Sequence, residues 1–170
     1  MKKRLFIAAT LIGSLIGCSK LSEEQMIAKA VDAQKGNQNS EALEHYQSFL
    51  DEYPKSNKVP EALYAMGSIY QNQKEFPKAV DVYKQIAKEY PEHATASSAS
   101  FLVGFIYNND LKNLGAAKAA YEEFLQRYPS SPMASSAKFE LDNLGKEPEE
   151  LIKEKVQTAE KKPSKPAKSR

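Results

Sequence analysis

The chain has 170 residues, of which 27% are charged, and its formal net charge at neutral pH is +2. This length gives room for one domain, and the lack of tryptophan and the low glycine content suit a helical body. A single cysteine excludes a framework of internal disulfides.

The N-terminal segment differs in composition from the rest of the chain. Basic residues occupy positions 2–4 and are followed by an apolar run from Leu5 to Ile16. This order is typical of a secretory signal, and the run is too short to span a bilayer comfortably. We therefore predict that residues 1–17 form a leader that is removed.

The apolar run ends in Leu15-Ile16-Gly17-Cys18, which resembles the signal of bacterial lipoproteins. The resemblance implies cleavage before Cys18, acylation of its thiol, and an anchor formed by residues 18–20. An ordinary signal with an incidental cysteine is the alternative. Lipidation is favoured because the only cysteine of the chain lies where the lipoprotein signal requires one.

Ser19 follows the cysteine, where similar enterobacterial lipoproteins carry aspartate if they stay in the inner membrane. The resemblance therefore implies an outer-membrane lipoprotein that faces the periplasm, provided that the organism is Gram-negative.

The region after the leader contains an internal repeat of about 37 residues. The segment Pro60 to Pro91 predicts two amphipathic helices, because apolar residues recur at helical spacing in each half. Related segments lie on both sides of it. Predicted helices of the neighbouring copies are Leu21–Lys35, a helix capped by Asn39 or Ser40, Thr95–Asn108 and Leu114–Arg127, and Pro132–Leu144 is predicted to be a terminal capping helix.

Several residues of the central copy stand at the spacings of a known repeat. They are Leu63, Gly67, Tyr70, Ala79, Tyr83 and Pro91, and they resemble the tetratricopeptide repeat (TPR) pattern. The resemblance implies an all-α helical solenoid with about three helix-turn-helix repeats and a C-terminal capping helix, over residues 21–145.

No catalytic or metal-binding constellation is evident in the sequence. His45 and His93 are the only histidines, and neither has the spacing of a metal or nucleophile site. We expect a protein without enzymatic activity and without a cofactor, apart from covalent lipid on Cys18.

In TPR proteins the first helix of each repeat lines the inner face of the solenoid. Amides there can donate to and accept from an extended peptide, and neighbouring aromatic rings can form side-chain pockets. The alternative is that the amides only end helices and the rings are core. The implied groove residues are Ile27, Val31, Gln34, Tyr64, Ser68, Gln71, Asn72, Phe101, Phe105, Asn108 and Asn109.

The C-terminal residues 146–170 form a charged tail. Pro148 to Glu160 could form a polar helix, whereas Lys161 to Arg170 contains five cations and two prolines and is predicted to be disordered. The tail is a solubilising segment, or it contacts anionic lipid, cell wall or an acidic partner surface. Nucleic acid is a poor candidate for an exported protein.

A lipidated cysteine followed directly by TPR-like pairs resembles two envelope families. One is the BamD-like lipoprotein of the β-barrel assembly machine, and the other is the TPR portion of the Tol-Pal-associated YbgF/CpoB family. The resemblance implies a membrane-anchored periplasmic scaffold for protein–protein interaction in envelope biogenesis, with outer-membrane protein assembly, as in the BamD-like family, as the favoured role. Alternatives are a coordinator of peptidoglycan synthesis and a structural, self-assembling lipoprotein.

Overall fold

The computed structural model describes residues 20–146, together with Glu150, Ile152 and Lys153. Within this part of the chain there are helices and no strands. The predicted leader, Cys18 and the segment Lys161–Arg170 that is predicted to be disordered lie outside the described residues. So does all of the predicted polar helix except its three described positions. In chain order the helices are α1 (Glu23–Lys35), α2 (Asn39–Glu52), α3 (Val59–Asn72), α4 (Phe76–Glu89), α5 (Ala94–Asn109), α6 (Leu114–Arg127) and α7 (Ala134–Asp142).

The helices form three hairpins and a terminal helix. α1 packs on α2, α3 on α4, α5 on α6, and α7 covers the end by packing on α6. Successive hairpins stack, and the first helices α3 and α5 also contact one another directly. The predicted all-α solenoid of three repeats and a capping helix is confirmed.

The turn inside each hairpin uses a residue in the left-handed region. Asn37, Lys74 and Lys112 have φ angles of 58°, 61° and 51°. This conformation ends the first helix, and backbone hydrogen bonds such as Gln38 N–H to Ala33 O then close the turn. The first two turns therefore share one backbone design, and the third is one residue longer, since Asn113 N–H bonds Tyr107 O six residues earlier.

The end of each second helix also repeats. Tyr53, Tyr90 and Tyr128 follow the last helical residue with φ angles of −129°, −130° and −128°. Each donates its backbone N–H to the carbonyl four residues earlier and precedes a proline, which cannot continue the helix. The Tyr-Pro pairs recognised in the sequence therefore end helices.

Of the two predicted helix caps, the one at α1 is confirmed and the one at α2 is wrong. Ser22 and Gln25 form the expected capping box at α1. The prediction that Asn39 or Ser40 caps α2 is wrong, because the preceding residue is Gln38 and its side chain makes no cap hydrogen bond. The tight turn at Asn37 fixes the start of α2 through the backbone, so no side-chain cap is needed.

In the second and third repeats, the ring of a core tyrosine packs directly against a glycine of the first helix. A Cβ atom added to Gly67 would lie 2.6 Å from the Tyr83 ring, and one added to Gly104 would lie 2.7 Å from the Tyr121 ring. Both tyrosines are fully buried. Only a residue without a side chain lets the second helix bring its ring this close to the first helix.

Candidate functional site

The predicted groove residues all lie on the first helices, three on α1 and four each on α3 and α5. Asn72 and Asn109 are exposed, whereas the other nine are partly buried. We call the surface that carries these residues the inner face. The direct contact between α3 and α5 makes this face continuous from the second repeat to the third.

Two glutamines of the inner face are held by tyrosines in the same way. The Tyr46 hydroxyl donates to Gln34 Oε1 at 3.1 Å, and the Tyr83 hydroxyl donates to Gln71 Oε1 at 3.4 Å. Both tyrosines come from the second helix of their own repeat. The tyrosine fixes the amide oxygen, so the amide N–H groups are the free donors of each glutamine.

The third repeat departs from this arrangement. Asn108 is one methylene shorter than the glutamines, and its Nδ2 donates instead to Glu140 of α7 at 3.2 Å. The Tyr121 hydroxyl is consequently buried with no hydrogen-bond partner among the described residues. Burial, and to a smaller extent the Glu140 charge, raises the pKa of Tyr121, so its hydroxyl stays protonated at neutral pH.

Tyr121→Phe should raise the free energy of unfolding by about 1 kcal/mol, because it removes a buried hydroxyl that has no partner. Tyr46→Phe, its matched control, should lower this free energy by about 1 kcal/mol, because the bond to Gln34 is lost. Urea denaturation of both variants makes the comparison. Equal destabilisation of the two variants would contradict the assignment of an unpaired Tyr121 hydroxyl.

The asparagines at the ends of α3 and α5 behave differently from the glutamines. Asn109 donates its Nδ2 to the carbonyl of Phe105, one turn earlier on its own helix, at 3.1 Å. This bond is what an amide that only ends a helix would make. Asn72 makes no side-chain hydrogen bond to the described residues and is exposed, so its amide remains available to a ligand.

The aromatic residues of the inner face are partly structural. The Phe101 ring lies 5.8 Å from both the Tyr121 ring and the Phe124 ring, so Phe101 belongs to the core of the third repeat. The Phe105 ring lies 6.4 Å from Phe101. In the second repeat the Tyr64 ring packs 5.5 Å from Tyr83. Removing Phe101 would therefore perturb both packing and any binding.

An apolar cavity of about 340 Å³ opens between α1 and α3. Ile27 and Val31 line it together with Tyr46, and Lys58 and Glu61 stand at it with opposite charges. Two predicted groove residues are thus brought together in a concave site that can take an apolar side chain.

Sequence reasoning missed a second cavity, of about 400 Å³, which lies between α4, α5 and α6. Four alanines line it, Ala87 of α4 and Ala116, Ala119 and Ala120 of α6. The sequence does contain an indication of this cavity. The matching positions of the first two repeats carry larger residues, such as Glu44 and Asp81 at the position of Ala119.

The described residues contain no group of three or more side chains that could hold a metal ion. His93 accepts from the backbone of Thr95 at the start of α5 and lies 3.1 Å from Glu61, and His45 lies 3.6 Å from Glu41. Across the described ranges, no helix has the length and apolar content needed to cross a bilayer.

Comparison with known proteins gives a family match. The sequence profile of the Tetratricopeptide repeat matches residues 22–56, 61–93 and 98–131, which is more than half of the chain. No curated protein matches. Among 26 matching chains of solved structures is a protein from Bacteroides ovatus, described only provisionally as protein-binding. It is 19% identical, with a TM-score of 0.43, and the match covers 87% of this chain and 75% of that one. The chain belongs to the tetratricopeptide repeat family and is a scaffold for protein–protein interaction.

Proposed function

We propose that this protein is a lipid-anchored periplasmic scaffold of the outer membrane that holds an extended segment of an envelope protein on its inner face. The acyl anchor is placed on Cys18, from the lipoprotein-like signal of the sequence. Acylation at more than one position would anchor the chain firmly, since a single acyl chain binds membranes only marginally. A role in outer-membrane protein assembly, as in the BamD-like family, is the favoured system.

The observation that carries the groove proposal is the repeated pairing of Gln34 with Tyr46 and of Gln71 with Tyr83. Each tyrosine holds its glutamine in one orientation, so the amide donors are ordered before a ligand arrives. Pre-ordered donors lose less conformational entropy on binding. A pair of such donors on successive first helices suits the carbonyl groups of an extended chain.

The spacing of these helices supports the same ligand. Directly packed helices, such as the first helices α3 and α5, lie about 8–10 Å apart, and an extended chain advances about 3.3 Å per residue. One repeat therefore corresponds to about three residues of bound peptide. The cavity at Ile27 and Val31 would take an apolar side chain of that segment.

The test is affinity capture from an envelope extract with the lipidated full chain. Gln34→Glu combined with Gln71→Glu keeps an oxygen for each tyrosine but removes both amide donors. Two lost hydrogen bonds should reduce recovery of the specific partner about tenfold or more. Gln47→Glu combined with Gln126→Glu makes the same chemical change at exposed positions of the second helices α2 and α6 and should recover the partner as the unmodified chain does.

The identity of the captured proteins separates the candidate systems. Components of the β-barrel assembly machine would support the favoured role, and loss of their recovery with Cys18→Ala would support membrane anchoring. The basic tail favours the cell-wall coordinator as second candidate, because cations at Lys161–Arg170 suit an anionic wall. Recovery of Tol-Pal proteins or cell-wall synthases, and of no assembly components, would overturn the favoured role.

A further inference from the structure

The cavity between α4, α5 and α6 lies away from the inner face, and its shape comes from a coordinated set of small residues. Ser100 stands where the first two repeats have Met26 and Leu63. Ala120, on the facing helix, stands where they have His45 and Val82. Ala116 and Ala119 likewise replace long polar or charged residues, and all four small residues line the same cavity of about 400 Å³.

The floor of this cavity contains a hydroxyl without a protein partner. Ser100 is only 7% exposed, and among the described residues it makes no hydrogen bond. Near it, the Tyr107 hydroxyl accepts from Lys84 Nζ at 3.0 Å and keeps its own proton to donate. The Ser100 hydroxyl is not among the fully buried unpaired polar atoms, so it is accessible from the cavity and can bond a ligand with a polar group at its tip.

The rim of the cavity is positively charged. Lys84, Lys88 and Arg127 stand around it, and Glu123 is the one acidic residue that lines it. Glu123 pairs with Arg127 at 3.1 Å, and neither lysine is paired with a carboxylate in the described part of the chain. Arg127 also donates to the backbone carbonyl of Ala87 at 2.8 Å, which ties α6 to α4 at this cavity. Two exposed lysines thus remain available to an anionic ligand.

We propose that this cavity is a second protein-docking site, which takes an aromatic side chain of a partner segment flanked by acidic residues. The ring packs against the alanines, a hydroxyl at its tip bonds Ser100 and Tyr107, and the flanking carboxylates pair with Lys84 and Lys88. A tyrosine within an acidic stretch satisfies all three requirements. The site is independent of the inner face, so one scaffold joins two partners.

The experiment measures fluorescence anisotropy of a labelled peptide with a central tyrosine and two glutamates on each side, added to the full chain in mild detergent. Binding should be saturable and should weaken as salt rises. Lys84→Glu with Lys88→Glu alters only exposed side chains and should weaken binding about tenfold or more. Ser100→Leu with Ala120→Val introduces the residues that the second repeat has at these positions. These larger side chains fill the cavity and should also weaken binding about tenfold or more.

Two matched controls keep the result specific. Gln34→Glu with Gln71→Glu alters only the inner face and should leave peptide affinity within about twofold, whatever becomes of the groove partner. A peptide with lysines in place of the glutamates should not bind. Equal binding of the lysine peptide, unchanged affinity of both cavity variants, or loss of binding in the inner-face variant would overturn the proposal. Self-association that the filled variant abolishes would also overturn it, because a second copy would then occupy the cavity.

Discussion

Gly67→Leu is expected to lower the free energy of unfolding by roughly 3 kcal/mol, which corresponds to a melting temperature about 10 °C lower. The reason is the ring of Tyr83, because even a Cβ atom at position 67 would lie 2.6 Å from it. The ring cannot move aside easily. It is 1% exposed, packs on Tyr64 and is hydrogen-bonded to Gln71.

Gly115→Ala is the matched control for this substitution. Gly115 also lies in a helix, but a Cβ atom there would meet only Asn113 Oδ1, at 3.8 Å. Alanine should therefore stabilise the protein by about 0.5–1 kcal/mol, since it restricts the unfolded chain. Thermal unfolding followed by circular dichroism measures both variants. If Gly67→Leu melted within a degree or two of the unmodified protein, the close contact between the Tyr83 ring and Gly67 would not determine how α3 and α4 pack.

Phe124→Ala should cost about 3–5 kcal/mol, the range for removing a fully buried phenylalanine. Its ring is 0% exposed and contacts the rings of Phe101 and Tyr128. These residues, with Ala137 of α7, form the core beneath the capping helix. Because each repeat of a solenoid packs only on its neighbours, the loss should be concentrated at the C-terminal end of the array.

Hydrogen exchange can locate that loss. We expect amides of α5, α6 and α7 to lose most of their protection in Phe124→Ala, while α1 and α2 retain more of theirs. Ile152→Ala is the control, because Ile152 is 62% exposed and its truncation should change stability by less than about 0.5 kcal/mol. Uniform loss of protection in all helices would show instead that the array unfolds as one cooperative unit.

The fold could be predicted from the sequence because the residues that determine helix packing and helix ends recur from repeat to repeat. Glycine at position 67 and tyrosine at position 83 recur as Gly104 and Tyr121, and a Tyr-Pro pair ends each second helix. These features fix helix packing and helix ends, so their recurrence suffices to predict the architecture. The predicted cap of α2 was wrong because it was inferred from residue type alone. The backbone turn at Asn37 starts this helix without a side-chain cap.

The site was less predictable because its properties depend on which neighbour a side chain reaches. The sequence predicted both Gln71 and Asn108 as groove residues, but only the structure shows that Tyr83 holds the first and Glu140 the second. Similarly, Phe101 was assigned to the groove, yet it packs into the core of the third repeat. In the first case the difference is one methylene between glutamine and asparagine, and in the second it is the side of α5 on which the ring packs. Neither difference produces a periodic pattern in the sequence.

The most direct test of recognition by the inner face is site-specific photo-crosslinking of the full chain in the cells that make it. A photoreactive residue at Asn72 would lie on the inner face at an exposed, unbonded position, and one at Ser48 would lie on the exposed surface of α2. The account predicts a discrete crosslinked protein from Asn72 and none from Ser48, with the Asn72 product lost in the Gln34→Glu, Gln71→Glu background. Crosslinks from Ser48 alone, or an Asn72 product that persists in that background, would contradict recognition by the inner face.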